Sequence, residues 1–286
     1  MYSEDMSEVG IDATAPIRMI AVDWSGDITA SGQKDKIWVA DWDAGELSLQ
    51  SGISRDNTIE YLTKAARDQP SLVAGLDFAF SYPAWFVKEQ GCDSAESFWS
   101  AVKREGEAWL GEPHDHFWGK LKGSRCPPAH RKTETPGLRL TEQEMIATRK
   151  KGLQPKSAFK IGGQGSVGTG SLRGIPYLLE LKRAGFSVWP FDPARFPILV
   201  EIYPRVFTED TVTSKCSARA AHLRDPRYDS ISEYLRVKAL DSEHAFDALC
   251  SVIGMKDHAN QFANLQQATD ETERIEGRIW RPVDLP

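Results

Sequence analysis

Three strongly apolar stretches of this chain each carry one carboxylate: IRMIAVDW holds Asp23, SLVAGLDFAF holds Asp77 and ILVEIYP holds Glu201. Short apolar runs rich in Ile, Val and Leu read as strands covered on both faces. An isolated ionised carboxylate in such a place is costly, so each acid must lie at a strand end, pair with a cation or bind a metal. A turn cap for Asp23 and a salt bridge from Glu201 to an arginine such as Arg205 are the purely structural explanations. Three acids recurring in strands of one sheet point instead to a shared site. Carboxylates converging at a sheet edge supply the oxygen ligands that Mg²⁺ or Mn²⁺ takes.

The segments between these runs set the fold class. Residues 36–42 and 46–49 predict strands, joined by Asp43-Ala44-Gly45 as a hairpin signal. A helix is expected over residues 57–67 with Asp56 or Asn57 as its cap, and Pro83 opens the next one. From about residue 92 to 170 the pattern loosens, with Trp- and His-containing helical stretches. Regularity returns with a helix over 177–184, strands over 186–191 and 197–203, and helices over 230–240 and 242–255. Strands and helices mixed around one sheet make the chain α/β, with a long helical and loop insertion at about residues 92–165. Residues 1–16 read as a flexible acidic tail and 17–286 as one domain.

The last helix offers a fourth acid. In SEHAFDALCSVIGM, Ala245, Ala248, Leu249, Val252 and Ile253 form the packing face at helical spacing. His244, Asp247 and Ser251 form a narrower stripe on the other side, which is either solvated or turned toward a site.

Composition excludes several classes. With 41% hydrophobic and 27% charged residues, the 286-residue chain is an ordinary globular one, large enough to need neither metal nor disulfide for stability. Cys92, Cys126, Cys216 and Cys250 form no C-x-x-C pair, as expected of a reduced compartment. No apolar run approaches the roughly 18 residues of a membrane span, and the acidic start is unlike a signal peptide. The expectation is a cytoplasmic protein with no membrane partner.

Net charge is −6, yet residues 119–160 hold eleven Lys and Arg against three Glu. Such a tract is either a solvated loop or an electrostatic footprint for a polyanion. Lys150, Lys151, Lys156 and Lys160 are its candidate substrate-binding residues. Next to them, Gly163-x-Gly165-x-x-Gly168 exposes backbone N–H groups suited to a phosphate. The same glycines, with Asp192, also fit a dinucleotide pattern and hence an oxidoreductase. Against that, the strand before them is short and contains Lys160, and Gly174 and Pro176 should break the helix that would carry the pyrophosphate. No lysine follows in Walker A position. His114, His116, Cys126 and His130 are zinc-capable residue types, but their spacing matches no standard finger. Trp118, beside the basic tract, is the candidate for stacking on a single strand.

Taken in order, AVDWSG, GLDFAF, KIGGQGSVGTGS, ILVEIYP and EHAFDAL resemble the domain-of-unknown-function family 429 over about residues 18–253. That family is regarded as predicted nucleases of the ribonuclease H-like superfamily. The resemblance implies a five-stranded mixed sheet with helices on both faces and acids near its centre. Carried over by motif, Asp23 matches the first-strand aspartate, Asp77 the fourth-strand acid and Asp247 the C-terminal helix acid. His244 precedes the last of these as in Holliday-junction resolvases, whose fourth-strand acid is often Glu where this chain has Asp. The implied function is two-metal hydrolysis of nucleic-acid phosphodiesters. Asp23, Asp77, Asp247 and Glu201 are then the metal ligands and His244 an outer ligand or proton carrier. A non-catalytic nucleic-acid or protein binding module on the same fold is the alternative.

Overall fold

A computed structural model describes residues 15–111, 116–119, 137–163 and 165–283. At its centre, β1 (Arg18–Asp23) runs antiparallel to β2 (Trp38–Asp43) and parallel to β4 (Leu72–Leu76). β2 turns into β3 (Glu46–Gln50) through Ala44 and Gly45, at φ 48° and 100°. Positive φ at both central residues matches the twist of the flanking strands, as the Asp-Ala-Gly signal predicted. Beyond β4 lie β6 (Ile198–Glu201) and then β5 (Ser187–Val188), both parallel, giving the order β3-β2-β1-β4-β6-β5.

The sheet therefore has six strands rather than the expected five, the additional one being the two-residue edge strand β5. The 186–191 run pairs no further because Asp192 folds back on it. The Val188 amide donates to the Asp192 carboxylate at 3.0 Å and the Asp192 amide to the Val188 carbonyl at 2.9 Å.

In chain order the helices are α1 (Ala30–Lys36), α2 (Arg55–Asp68), α3 (Ala84–Glu89), α4 (Ala95–Gly111), α5 (Leu140–Ala147) and α6 (Val167–Arg183). They continue with α7 (Arg205–Thr208), α8 (Cys216–His222), α9 (Glu233–Asp241), α10 (Glu243–Asp257) and α11 (Glu271–Glu276). Strand alternation divides the core in two. Ile20, Val22, Ala74, Leu76 and Leu199 face α2, α4 and α6, whereas Met19, Ala21, Val73 and Val200 face α10.

Two expectations are corrected by packing. α6 runs unbroken through Gly174 and Pro176. A proline inside a helix costs about 3 kcal/mol, but Leu172, Ile175, Leu178 and Leu179 are buried on either side of it, and Gly174 leaves room for the Phe78 ring. α6 also begins at Val167 rather than near 177, and within the expected insertion Phe98, Trp99, Trp109, Phe159 and Ile161 belong to the core on the α4–α6 face. Among the described residues no helix is long and apolar enough to cross a membrane.

Candidate functional site

Asp23 is the last residue of β1, and Asp77 follows the end of β4 with its amide still donating to the Val22 carbonyl at 3.0 Å. By alternation Asp23 follows Met19 and Ala21 onto the α10 face. Asp77 follows Val73 and Gly75, the latter packed beside Met255 of α10. The carboxyl ends of parallel strands are where open α/β sheets form their binding crevices. α10, capped by Ser242, lays His244 and Asp247 over these strand ends. His244 Nδ1 and Asp23 Oδ2 lie 2.6 Å apart. Most of α10 is buried, Ser251 included, whereas the His244 side chain stays partly open to solvent.

Charge in this corner is poorly compensated. Burial, then the charges of Asp23 and Asp247, push the Asp77 carboxyl well above the usual carboxylate range. Burial and the charge of Asp23 do the same to Asp247, opposed by the charges of Arg205 and His244. Burial also raises Asp23, against its hydrogen bond to His244. That bond in turn raises the His244 imidazole. The Oδ1 atom of Asp247 is shielded from solvent and has no hydrogen-bond partner. A further cation here would relieve the cost of ionising Asp77 and Asp247.

Asp77 and His244 open onto a cleft of about 530 Å³, a size suited to a small ligand. One wall is residues 24–27 with Lys36; the other is the glycine turn 161–170 at the start of α6, which includes Gly163 and Gly165. Gly26 joins the walls, since a Cβ there would fall 2.5 Å from the Gly170 amide nitrogen. Side chains of Lys156 and Lys160 lie beside Gly165, each with an atom 3.8 Å from where a Cβ would sit. Gly168 instead packs under the turn against the Ala158 and Lys160 carbonyls. Trp118 bridges to Lys160 in the backbone and has the Lys160 Nζ 5.7 Å from its ring centre.

Other sequence candidates lie elsewhere. Glu201, one strand-alternation out of phase with Asp77, points to the opposite face and is buried in an ion pair. Arg139 holds both its oxygens, at 2.5 and 2.8 Å, and the Phe80 amide donates to it at 2.9 Å. The salt-bridge explanation thus describes Glu201, with Arg139 rather than Arg205 as partner. Arg139 is correspondingly no part of a basic surface. Lys150 and Lys151 line a different cleft with Glu209 and Asp210, and Lys151 pairs with Asp210 at 3.0 Å. Asp192 is engaged by Lys182 at 2.8 Å. His116 bonds Glu89 at 2.8 Å, while His114, Cys126, His130 and the basic residues between 120 and 136 lie outside the described residues.

Sequence patterns did not single out Lys36 or Tyr203, and named Arg205 only as a partner for Glu201. Burial and then the charge of Asp77 push the Tyr203 phenol up to about 12, which places it beside the acids. Tyr203 lies two residues past the end of β6, where strand alternation, which would put it on the Glu201 face, no longer applies.

Among the described residues, no three His, Cys, Asp or Glu side chains form a group that could hold a metal ion as they stand. Comparison with protein-family models, characterised proteins and solved structures gave no match for this chain.

Proposed function

We propose that this protein hydrolyses phosphodiester bonds of nucleic acid, using divalent metal ions held by Asp23, Asp77 and Asp247. The observation that carries the reading is that Asp23 and Asp77 end neighbouring strands on the sheet face that α10, bearing Asp247, covers. The donor chemistry fits Mg²⁺ or Mn²⁺: oxygen ligands, a buried Asp247 Oδ1 without a partner, and an Asp77 carboxyl whose burial its acidic neighbours aggravate. A bound divalent ion polarises a phosphate and lowers the pKa of water.

The chain's own residues supply the remainder. His244, held by Asp23 through Nδ1, keeps Nε2 to hold or pass a proton. Amides of the glycine turn grip a phosphate oxygen, with Lys156 and Lys160 balancing its charge. The similarity of the motifs to those of ribonuclease H-like nucleases accords with this reading.

The test is incubation of labelled single strands, duplexes, hybrids and junctions with Mg²⁺ or Mn²⁺. Cleavage that a chelator and Asp77→Asn both abolish is expected. The open arrangement of the acids favours one second reading, a non-catalytic nucleic-acid binding module. Binding that survives the chelator, with no cleavage of any substrate, selects it.

A further inference from the structure

Lys36 stands on the wall of the cleft opposite the glycine turn, and nothing in the strand or glycine motifs points to it. It is the last residue of α1, a seven-residue helix with no buried side chain. Its side chain is 44% exposed, and Nζ lies 2.7 Å from Asp27 Oδ2. The construction around Asp27 is specific. Thr29 donates to Asp27 Oδ1 from both its amide and its hydroxyl, each at 2.9 Å. Gly32 closes α1 onto that carboxylate, because a Cβ there would come within 2.5 Å of three of its atoms. Arg55 donates to the Ser25 and Asp27 carbonyls at 3.0 and 2.7 Å, fixing the loop below.

Asp27 is therefore anchored without Lys36. Thr29 satisfies one carboxylate oxygen, and the loop is braced from α2 and, through the Gly26 carbonyl, by Arg173 of α6. Lys36 is the partner that can leave. An acidic cleft meant for a phosphodiester needs cations on more than one side, since three carboxyls repel the substrate they serve. Lys156 and Lys160 stand at the glycine turn only.

We infer that Lys36 is a substrate-binding residue: it exchanges its contact with Asp27 for a backbone phosphate of the nucleic-acid strand entering the cleft. The inference rests on the phosphodiester reading. The ligand group is the phosphate itself, so the contact is independent of base sequence.

The two partners of the ion pair separate this role from an ordinary surface salt bridge. Affinity of a labelled oligonucleotide is measured in chelator over a range of salt, for wild type, Lys36→Ala and Asp27→Asn. Lys36→Ala should weaken binding roughly tenfold, as loss of a charge-assisted hydrogen bond does. Its log–log salt slope should fall by about 0.7–0.9, one phosphate contact. Asp27→Asn, which releases Lys36, should bind at least as tightly as wild type. Melting curves of both variants should stay near that of wild type, because Lys36 is exposed and Asp27→Asn keeps an oxygen to accept from Thr29. Unchanged affinity and slope in Lys36→Ala, or equal losses in both variants, would overturn the role of Lys36 while leaving the phosphodiester reading intact. Wild-type protein that binds no nucleic acid would overturn both.

Discussion

Asp77 stands in electrostatic conflict with its surroundings. Its carboxyl is raised by burial and by two neighbouring acids, with no cation bonded to it. The folded protein thus holds this proton to a higher pH than the unfolded chain, whose Asp titrates near about 3.9. The sign follows: no penalty exists below that pH, and the cost grows as pH rises through the raised folded value. Asp77→Asn removes the charge and keeps the shape. Without metal it should gain about 1–2 kcal/mol near neutrality, a gap that closes in acid. Urea melts of both proteins over a pH series check this, and parallel curves at every pH would deny Asp77 its place in an acid cluster. Asp23 and Asp77 were legible because a carboxylate inside an apolar run is anomalous on sight. Lys36 and Arg205 were not, since a lysine ending an exposed helix and an arginine beside a Pro-marked turn look ordinary until the chain closes.

At the scale of elements, the pleat sorts the acids. Three apolar runs with one acid each look equivalent in sequence, but β6 presents Glu201 one residue out of phase, on the sheet face opposite to where it would serve. Arg139 meets it there, 1% exposed, and joins Glu142 and the Glu276 carbonyl to it. Glu276 in turn accepts from the Ala84 and Leu140 amides at 2.7 and 2.6 Å. This knot ties α5, β6 and α11 to the loop leaving Asp77. Arg139→Met should cost about 3–5 kcal/mol by stranding a buried carboxylate, and Arg139→Met with Glu201→Gln distinctly less. Equal losses in chemical denaturation would show that the pair is not coupled. The main strands and α2, α9 and α10 were readable from periodicity to within a few residues. α1, α7, α8 and α11 were not, being too short to show a helical period and held by caps and tertiary contacts. α6 was misjudged because tertiary packing outweighs what a proline and a glycine say locally.

Over the whole molecule, the sheet separates two hydrophobic cores, and the acids occupy the rim where β1 and β4 end together. Both cores bear on the site, one through α10 and the other through α6 and its glycine turn, so occupancy of the site should register in global stability. A ligand bound only by the folded state stabilises it by mass action, about 2.7 kcal/mol at a hundredfold excess over Kd. Mn²⁺ should therefore raise the melting temperature of wild type with concentration and leave Asp77→Asn and Asp247→Asn nearly unmoved. The pH dependence has a definite sign. Asp77 and Asp247 are both pushed above the usual carboxylate range, so ligation competes with their protons and apparent affinity rises with pH. The Mn²⁺-induced shift should be larger near about pH 8 than near about pH 6, opposite to the metal-free protein, whose acid cluster costs more as pH rises. Calorimetry in two buffers of different ionisation heat counts the released protons directly. A melting temperature indifferent to Mn²⁺ at both pH values, or binding without proton release, would remove the metal and leave the cleft to bind phosphate through its amides and lysines alone.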